Sequence, residues 1–433
     1  MNSVGLILAG GRGTRMKSHR PKAMQLLGGL PLVTHVIRLC ESSFDRVAVV
    51  VGPGMGDVSV AAAPHEVLIQ DIPLGTAHAA LAGEPAFGDG LVFLLYVDNP
   101  LIQKKTVAEL RVRLEASAAD LALLAMRAPP DSQYGRVIMR DGKVQRIVEW
   151  SEANAEERKE TLCNAGLFAA RSGDLRRWLK SVKPRGAAGE YYLTDIVELA
   201  AAEGAHVVAH EANFAEAQGV NSRADLAVAE ATLQGRLRLE ALEGGVRMVA
   251  PETVFLAADT RLAEDVTIEP FVVFGPGVEV EFGARIRAFS YLEQCQVKSD
   301  AIIGPYARLR PGTLVGEGAH IGNFVELKAA TIGAGVKANH LSYLGDTTIG
   351  PKANIGAGTI VCNYDGRRKH RTDIGARAFI GSNSSLVAPV TIGDDSLIGA
   401  GSVITKDVSA ETLAIARAPQ VEKPRRRTVK EAQ

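Results

Sequence analysis

The chain lacks net charge: 49 Lys plus Arg stand against 49 Asp plus Glu. No global field draws it to nucleic acid or anionic lipid, so an anionic ligand must be held by local charge. Aromatic residues make up only 5%, too few for much base stacking, and no nucleic-acid partner is expected. Cysteines are scarce: Cys40, Cys163, Cys295 and Cys362. No pair has metal-ligand or redox spacing, which points to reduced thiols in a cytoplasmic protein. No apolar run approaches the ~18 residues of a membrane span. Residues 4–10 lack a basic leader and read as a buried strand, not a signal peptide, so no membrane partner is expected.

What remains is an ordinary globular composition, 46% hydrophobic and 23% charged over 433 residues, enough for roughly three domains. It is written in two grammars. Residues 1 to about 220 alternate the apolar runs VGLILAG, DRVAVVVG and LVFLLYVD with helical stretches such as 31–41 and 105–116. Such alternation predicts an α/β domain, a Rossmann-like, mixed but mostly parallel sheet covered by helices on both faces. Ligands of such sheets bind at the carboxyl ends of strands. Residues 222–243 read as one amphipathic helix, with Leu226, Ala229, Leu233, Leu237 and Leu242 near helical spacing. Ser222 is its N-cap and Gly244-Gly245 its stop.

From about residue 250 an aliphatic side chain recurs every six positions, as at Val297, Ile303, Leu309, Val315, Ile321 and Leu327, and again from Ile374 to Ile404. Glycine often follows it. A period of six fits neither a helix nor simple hairpins; it fits a parallel β-helix of hexapeptides. Each aliphatic residue should point inward and each glycine should sit near a corner. The stretch CNYDGRRKHRTD breaks the repeat and carries Arg367, Arg368, Lys369 and Arg371. It is either a phosphate site on a loop thrown out of a rigid coil or a solvated basic loop. The expected divisions are 1–221 for the first domain, 222–245 for a linker helix, and 246–433 for the β-helix with a basic tail.

The first strand runs into Leu8-Ala9-Gly10-Gly11-Arg12-Gly13-Thr14-Arg15-Met16. No Gly-Lys-Ser/Thr follows, and Met16 stands where a dinucleotide fingerprint needs its third glycine. The loop still suits phosphate: its backbone N–H groups can approach oxygens closely, and Arg12, Arg15 and Lys22 add charge.

With LGTAHA at 74–79, YVDNPL at 96–101, YGR at 134–136, IVE at 147–149, NAG at 164–166, GEYYLTD at 189–195 and GVNSR at 219–223, this loop resembles the sugar-nucleotide pyrophosphorylases. Together with the hexapeptide half, nearly all of residues 4–420 resembles the family of bifunctional N-acetylglucosamine-1-phosphate uridylyltransferases/glucosamine-1-phosphate acetyltransferases. The resemblance implies a left-handed β-helix, an exception to the usual right-handed crossover. It also implies homotrimers with ligand sites between subunits. For the first half it implies attack of a sugar 1-phosphate on the α-phosphorus of UTP. Arg15 and Lys22 would then face the triphosphate, and Asp98 and Asn221 would hold Mg²⁺, a cation that favours carboxylate and amide oxygens. Gln70, Gly75 and Thr76 match uracil-reading positions. Gly135, Glu149 and Asn164 match positions that grip the N-acetyl sugar. Leu8, Ala9, Gly10, Gly11, Tyr96 and Val97 complete the nucleotide site. The chain departs from the family at Pro73, usually glutamine, and at Val97, usually glycine, where a side chain would crowd the nucleotide sugar.

In the second half, the glucosamine amine must lose a proton as it attacks the thioester of acetyl-CoA. A neutral imidazole, of reference pKa ~6.5, suits that task. The resemblance puts His340 in the role, with Glu326 orienting it. It puts Arg310, Lys328 and Lys369 on the sugar phosphate, and Tyr343, Asn354 and Tyr364 on the sugar. It lays Ala357, Asn363, Tyr364, Ser382, Ala400 and Arg417 along the acetyl-CoA groove. Cys362 is expected to be a buried small residue and not a nucleophile. The tail at 423–430 either covers phosphates of coenzyme A or frays in solvent. Two alternatives stand beside this reading: a pyrophosphorylase for a different sugar, and a non-catalytic trimeric subunit.

Overall fold

A computed structural model describes residues 2–185 and 189–424. The chain divides into two compact units, Met1–Leu233 and Gln234–Gln433. Most of the basic tail, from residue 425 on, lies outside the described residues.

In the first unit the apolar runs become strands buried on both faces, so they read as continuous and not alternating. Along the main path the sheet runs Val207–Ala212, Leu121–Arg127, Leu162–Arg171, Leu91–Tyr96, Ser3–Leu8, Arg46–Val51, Glu66–Ile69. Leu162–Arg171 is antiparallel to both neighbours, and the other pairings on this path are parallel. Strands Ser3–Leu8 and Leu91–Tyr96 lie side by side, while the chain leaving the first returns on its other side as Arg46–Val51. That divergence opens a crevice at their carboxyl ends. The expected helices run Leu32–Glu41 and Lys104–Ala116.

The helix Arg223–Glu243 starts as the sequence predicts. Ser222 Oγ accepts from the Asp225 N–H, while the Asp225 carboxylate accepts the N–H groups of Asn221 and Ser222. This reciprocal cap satisfies donors that a helix start leaves orphaned. Its last expected apolar contact is absent, since Leu242 is 39% exposed.

The second unit is a left-handed parallel β-helix of hexapeptide repeats, its strands stacked into three parallel sheets of ten, eight and eight. One inward column pairs Ile286, Ile303, Ile321, Ala338, Ile355, Ile380 and Ile398 in register, each at most 3% exposed. Each isoleucine contributes roughly 1.5–3 kcal/mol by burial, but only with neighbouring coils in place. The break in the period falls between Ile355 and Ile380, where the coil admits the basic loop.

The glycines after the aliphatic residues stand beside the corners, as expected, but few of them make the turns. Most corners are turned instead by non-glycine residues with positive φ, among them Phe289, Tyr306, Phe324 and Leu341 at 60°, 58°, 56° and 51°. The glycines are there because the next coil passes too close. A Cβ on Gly322 would stand 2.0 Å from the Asn339 carbonyl oxygen. Gly322→Ala is therefore expected to lower stability by about 3 kcal/mol, read by chemical denaturation. Cys362 also departs from expectation: it is half-buried, whereas Cys40, Cys163 and Cys295 are buried, and all four are free thiols. Burial pushes the Cys295 thiol up to about 12.

Candidate functional sites

The crevice of the first unit holds a cavity of about 550 Å³. Leu8, Gly10, Gly11, Arg15, Lys22, Gln70, Gly75, Thr76, Tyr96, Val97, Asp98 and Asn221 all line it, and Ala9 is buried just behind. Asp98 follows the strand that ends at Tyr96, and distant Asn221 is brought to it by backbone. Val220 N–H donates to the Asp98 carbonyl at 2.7 Å, and Asn99 Nδ2 donates to the Ala217 carbonyl at 2.7 Å. Lys22 Nζ then lies 2.5 Å from Asp98 Oδ2 and 2.8 Å from Asn221 Oδ1, while Arg15 donates to the same Asn221 oxygen at 2.9 Å. Asp98 Oδ1 is buried with no hydrogen-bond partner among the described residues. An unsatisfied carboxylate oxygen beside an amide oxygen is a donor pair suited to Mg²⁺, which keeps waters and substrate phosphates as its other ligands.

Around this centre lie the other residues that the resemblance singles out. Gly75 has φ of 110°, and a Cβ there would stand 2.5 Å from the Tyr191 carbonyl oxygen, so only glycine lets the two loops meet. Thr76 Oγ1 accepts from the Leu193 N–H at 2.9 Å. Val97, 4% exposed, packs into the sheet core with Leu95 and Ile7 while lining the cavity. Tyr96 is half-buried, and desolvation of its phenol pushes it well above its ordinary range.

Gly135, Glu149 and Asn164 are likewise brought together. The Asn164 N–H donates to the Gly135 carbonyl at 2.9 Å, and a Cβ on Gly135 would lie 3.5 Å from Glu149 Oε2. Burial raises the Glu149 carboxyl, opposed by the Thr194 hydroxyl that donates to it at 2.9 Å. Fully buried Arg136 braces this loop: it donates to the carbonyls of Pro130, Ser132 and Tyr134 and lies over the Trp150 ring. Its bracing role was not read from the sequence, where YGR entered only as part of the resemblance.

On the β-helix, one corner organises the second site. His340 and Leu341, Ala357 and Gly358, Ser382 and Asn383, and Ala400 and Gly401 follow one another on successive coils, joined by backbone hydrogen bonds. Arg417 closes the row by donating to the Ala400 carbonyl at 2.5 Å. At ~4.8 Å per coil, the rail from His340 to Arg417 spans roughly 19 Å. Its small side chains leave a smooth edge for an extended ligand.

His340 is exposed at the foot of this rail. Its Nδ1 lies 2.6 Å from Asn323 Oδ1; an oxygen can only accept, so Nδ1 carries the hydrogen and Nε2 keeps its lone pair outward. The orienting group is thus Asn323, one coil below. The Glu326 carboxylate contacts Arg310 at 2.9 Å instead. Asn354 stands on the face entering the corner and Tyr343 on the face leaving it. Asn363 and Tyr364 do not join the rail. Asn363 Nδ2 donates to the Tyr343 hydroxyl at 3.4 Å and to Asp346 at 2.5 Å, and the Tyr364 hydroxyl donates to the Gly366 carbonyl. Lys328 approaches Asp346 at 3.7 Å and, lying beside Lys369, holds that ammonium below its ordinary range. Two ammonium groups kept together are a ready anion site. Asn323 and Asp346 are functional candidates that sequence reasoning missed, although both lie in the runs NFVE and YLGD.

Residues 5–164 match the MobA-like NTP transferase domain, and residues 371–406 match the bacterial transferase hexapeptide with six repeats. The chain is similar to bifunctional protein GlmU of Acidiphilium cryptum, 58% identical over 98% of each chain. The same named protein from Gluconacetobacter diazotrophicus is 58% identical over 97% of this chain and 92% of its own. That of Granulibacter bethesdensis is 55% identical over 98% and 95%.

Proposed function

The chain belongs to the family of the bifunctional GlmU proteins, and from that premise we propose how its residues divide the work. It is an enzyme with two transferase activities, N-acetylation of glucosamine 1-phosphate and uridylyl transfer to N-acetylglucosamine 1-phosphate. It uses a nucleotide and an acyl donor. In our reading these are UTP, with Mg²⁺, and acetyl-CoA.

In the first unit the sugar phosphate oxygen attacks the α-phosphorus of UTP, a P–O bond forms, and pyrophosphate leaves. Arg15 and Lys22 bind the phosphates and meet the charge that develops on their oxygens. Asp98 and Asn221 would hold Mg²⁺, which neutralises phosphate charge when bound. Gln70, Gly75 and Thr76 position the base; Gly135, Glu149 and Asn164 position the sugar. What carries this reading is the meeting of Lys22, Asp98 and Asn221 below the glycine loop.

In the second unit the amine attacks the thioester carbonyl. The C–N bond forms, the C–S bond breaks, and His340 Nε2 takes the amine proton. Arg310, Lys328 and Lys369 hold the sugar phosphate, and Tyr343 and Asn354 hold the sugar. The rail of Ala357, Ser382, Ala400 and Arg417 carries the acyl donor's arm. Asn363, assigned to that donor by resemblance, contacts Tyr343, while Tyr364, assigned to both sugar and donor, donates to the Gly366 carbonyl. The exposed corner at His340 is completed by a neighbouring copy in a homotrimer, and light scattering on the purified protein reads that mass. Reduced thiols fit work in the cytoplasm.

One coupled assay tests the whole: glucosamine 1-phosphate, acetyl-CoA, UTP and Mg²⁺ should yield UDP-N-acetylglucosamine, coenzyme A and pyrophosphate. No uridylylated product from N-acetylglucosamine 1-phosphate would reject the first assignment.

The sugar site gives a separate prediction. Glu149→Gln should raise KM for N-acetylglucosamine 1-phosphate about tenfold, the loss of one charge-assisted hydrogen bond at ~1.5 kcal/mol. The same change should make the protein more stable near neutral pH. The carboxyl binds its proton more tightly folded than unfolded, so stability is present at low pH and lost as pH rises through the raised value. The thermal-melt advantage of the glutamine variant should vanish in acid.

A further inference from the structure

Gln70, 4% exposed, follows the strand Glu66–Ile69 and lines the nucleotide cavity. Its Nε2 donates to the Gly75 carbonyl at 3.1 Å and to His78 Nδ1 at 3.0 Å. A carbonyl oxygen has no hydrogen to give, so the amide atom facing Gly75 must be the NH₂ group. That same NH₂ faces His78, whose Nδ1 must then accept, leaving the ring hydrogen on Nε2. Both amide hydrogens are taken by protein acceptors. Oε1 is turned toward Gly10, where an added Cβ would stand 3.3 Å from it, and it has no protein donor among the described residues. The His78 ring lies 6.3 Å from that of Tyr191. The Tyr191 backbone clasps the 74–77 loop through Leu74 and Ala77, so the imidazole is held where it meets Gln70.

We propose that His78 is a specificity-positioning residue. By accepting from Gln70 it fixes an acceptor toward the base, so the site selects a pyrimidine with hydrogen on N3, as in uracil, over cytosine, whose N3 presents a lone pair. The inference rests on Gln70 facing the base. Turning the amide over would set its oxygen against the Gly75 carbonyl and force the His78 ring to move its hydrogen from Nε2 to Nδ1, and each unmade or repulsive contact is costly in a buried site. Removing the His78 acceptor leaves only one of those two locks.

The test compares kcat/KM for UTP and CTP, with N-acetylglucosamine 1-phosphate and Mg²⁺, in the full chain and in His78→Leu, His78→Asn and Gln70→Ala. His78→Leu should weaken the UTP preference about tenfold, equivalent to ~1.4 kcal/mol. His78→Asn, whose amide oxygen can stand where Nδ1 stood, should restore most of it. Gln70→Ala should lose at least as much as His78→Leu. If Gln70→Ala loses the preference and His78→Leu keeps it, the base reading stands and the role of His78 is overturned. If Gln70→Ala keeps it, the base reading itself falls and the inference with it. Equal losses in the leucine and asparagine variants would show a merely structural role and also overturn the proposal. Acetyl transfer and thermal melts of the same samples report whether each variant is folded.

Discussion

His340→Ala should lower acetyl transfer by about 10³-fold, within the range general-base catalysis supplies, while uridylyl transfer stays near the wild-type rate. The imidazole is exposed, its Nδ1 is occupied by Asn323, and its Nε2 faces outward with a lone pair. Asn323 cannot take a proton at neutral pH, and Glu326 is engaged by Arg310, so no neighbour replaces the lost base. The side chain leaves a solvent-facing corner, so alanine opens no cavity in the coil core, and thermal melts should barely move. Both half-reactions are measured on one preparation. If they fell together while the melt was unchanged, the division of labour between the two units would be wrong.

Asp98→Ala should produce the opposite pattern: uridylyl transfer reduced by about 10³-fold with acetyl transfer intact. Two losses combine in this change. The buried oxygen without a hydrogen-bond partner among the described residues, Oδ1 of Asp98, disappears as a seat for a hard cation. Lys22, only 9% exposed, loses the carboxylate that aims its ammonium at the phosphates and keeps only Asn221. Asp98→Asn separates the contributions, because it keeps the shape and removes the charge. It should remain severely impaired, with the acetyltransferase half again serving as the control for folding.

Val97 illustrates how context adds to a local expectation. A valine in place of glycine beside a nucleotide suggests a crowded site. The side chain does line the cavity, and it also belongs to the sheet core. The hexapeptide glycines are a second case. Their recurrence was plain, but their cause is the close passage of the next coil, a distance that no single repeat contains.

The period of six, the alternation of strand and helix, and the order of the motifs were all readable along the chain. Each reflects an environment that recurs at short range, such as an inward column or a strand end meeting a glycine loop. His340 was readable as the candidate base too, since that proposal needs only the right side chain within a recognisable run. What the folded state alone decided is which side chain partners which. Asn323 reaches His340 because coil stacking brings together residues 17 apart in the chain, and Asn221 reaches Lys22 across 199 positions. Gln70 meets His78 where the Tyr191 backbone clasps the 74–77 loop. Pairings of this kind depend on register and loop closure in three dimensions, and linear spacing carries neither.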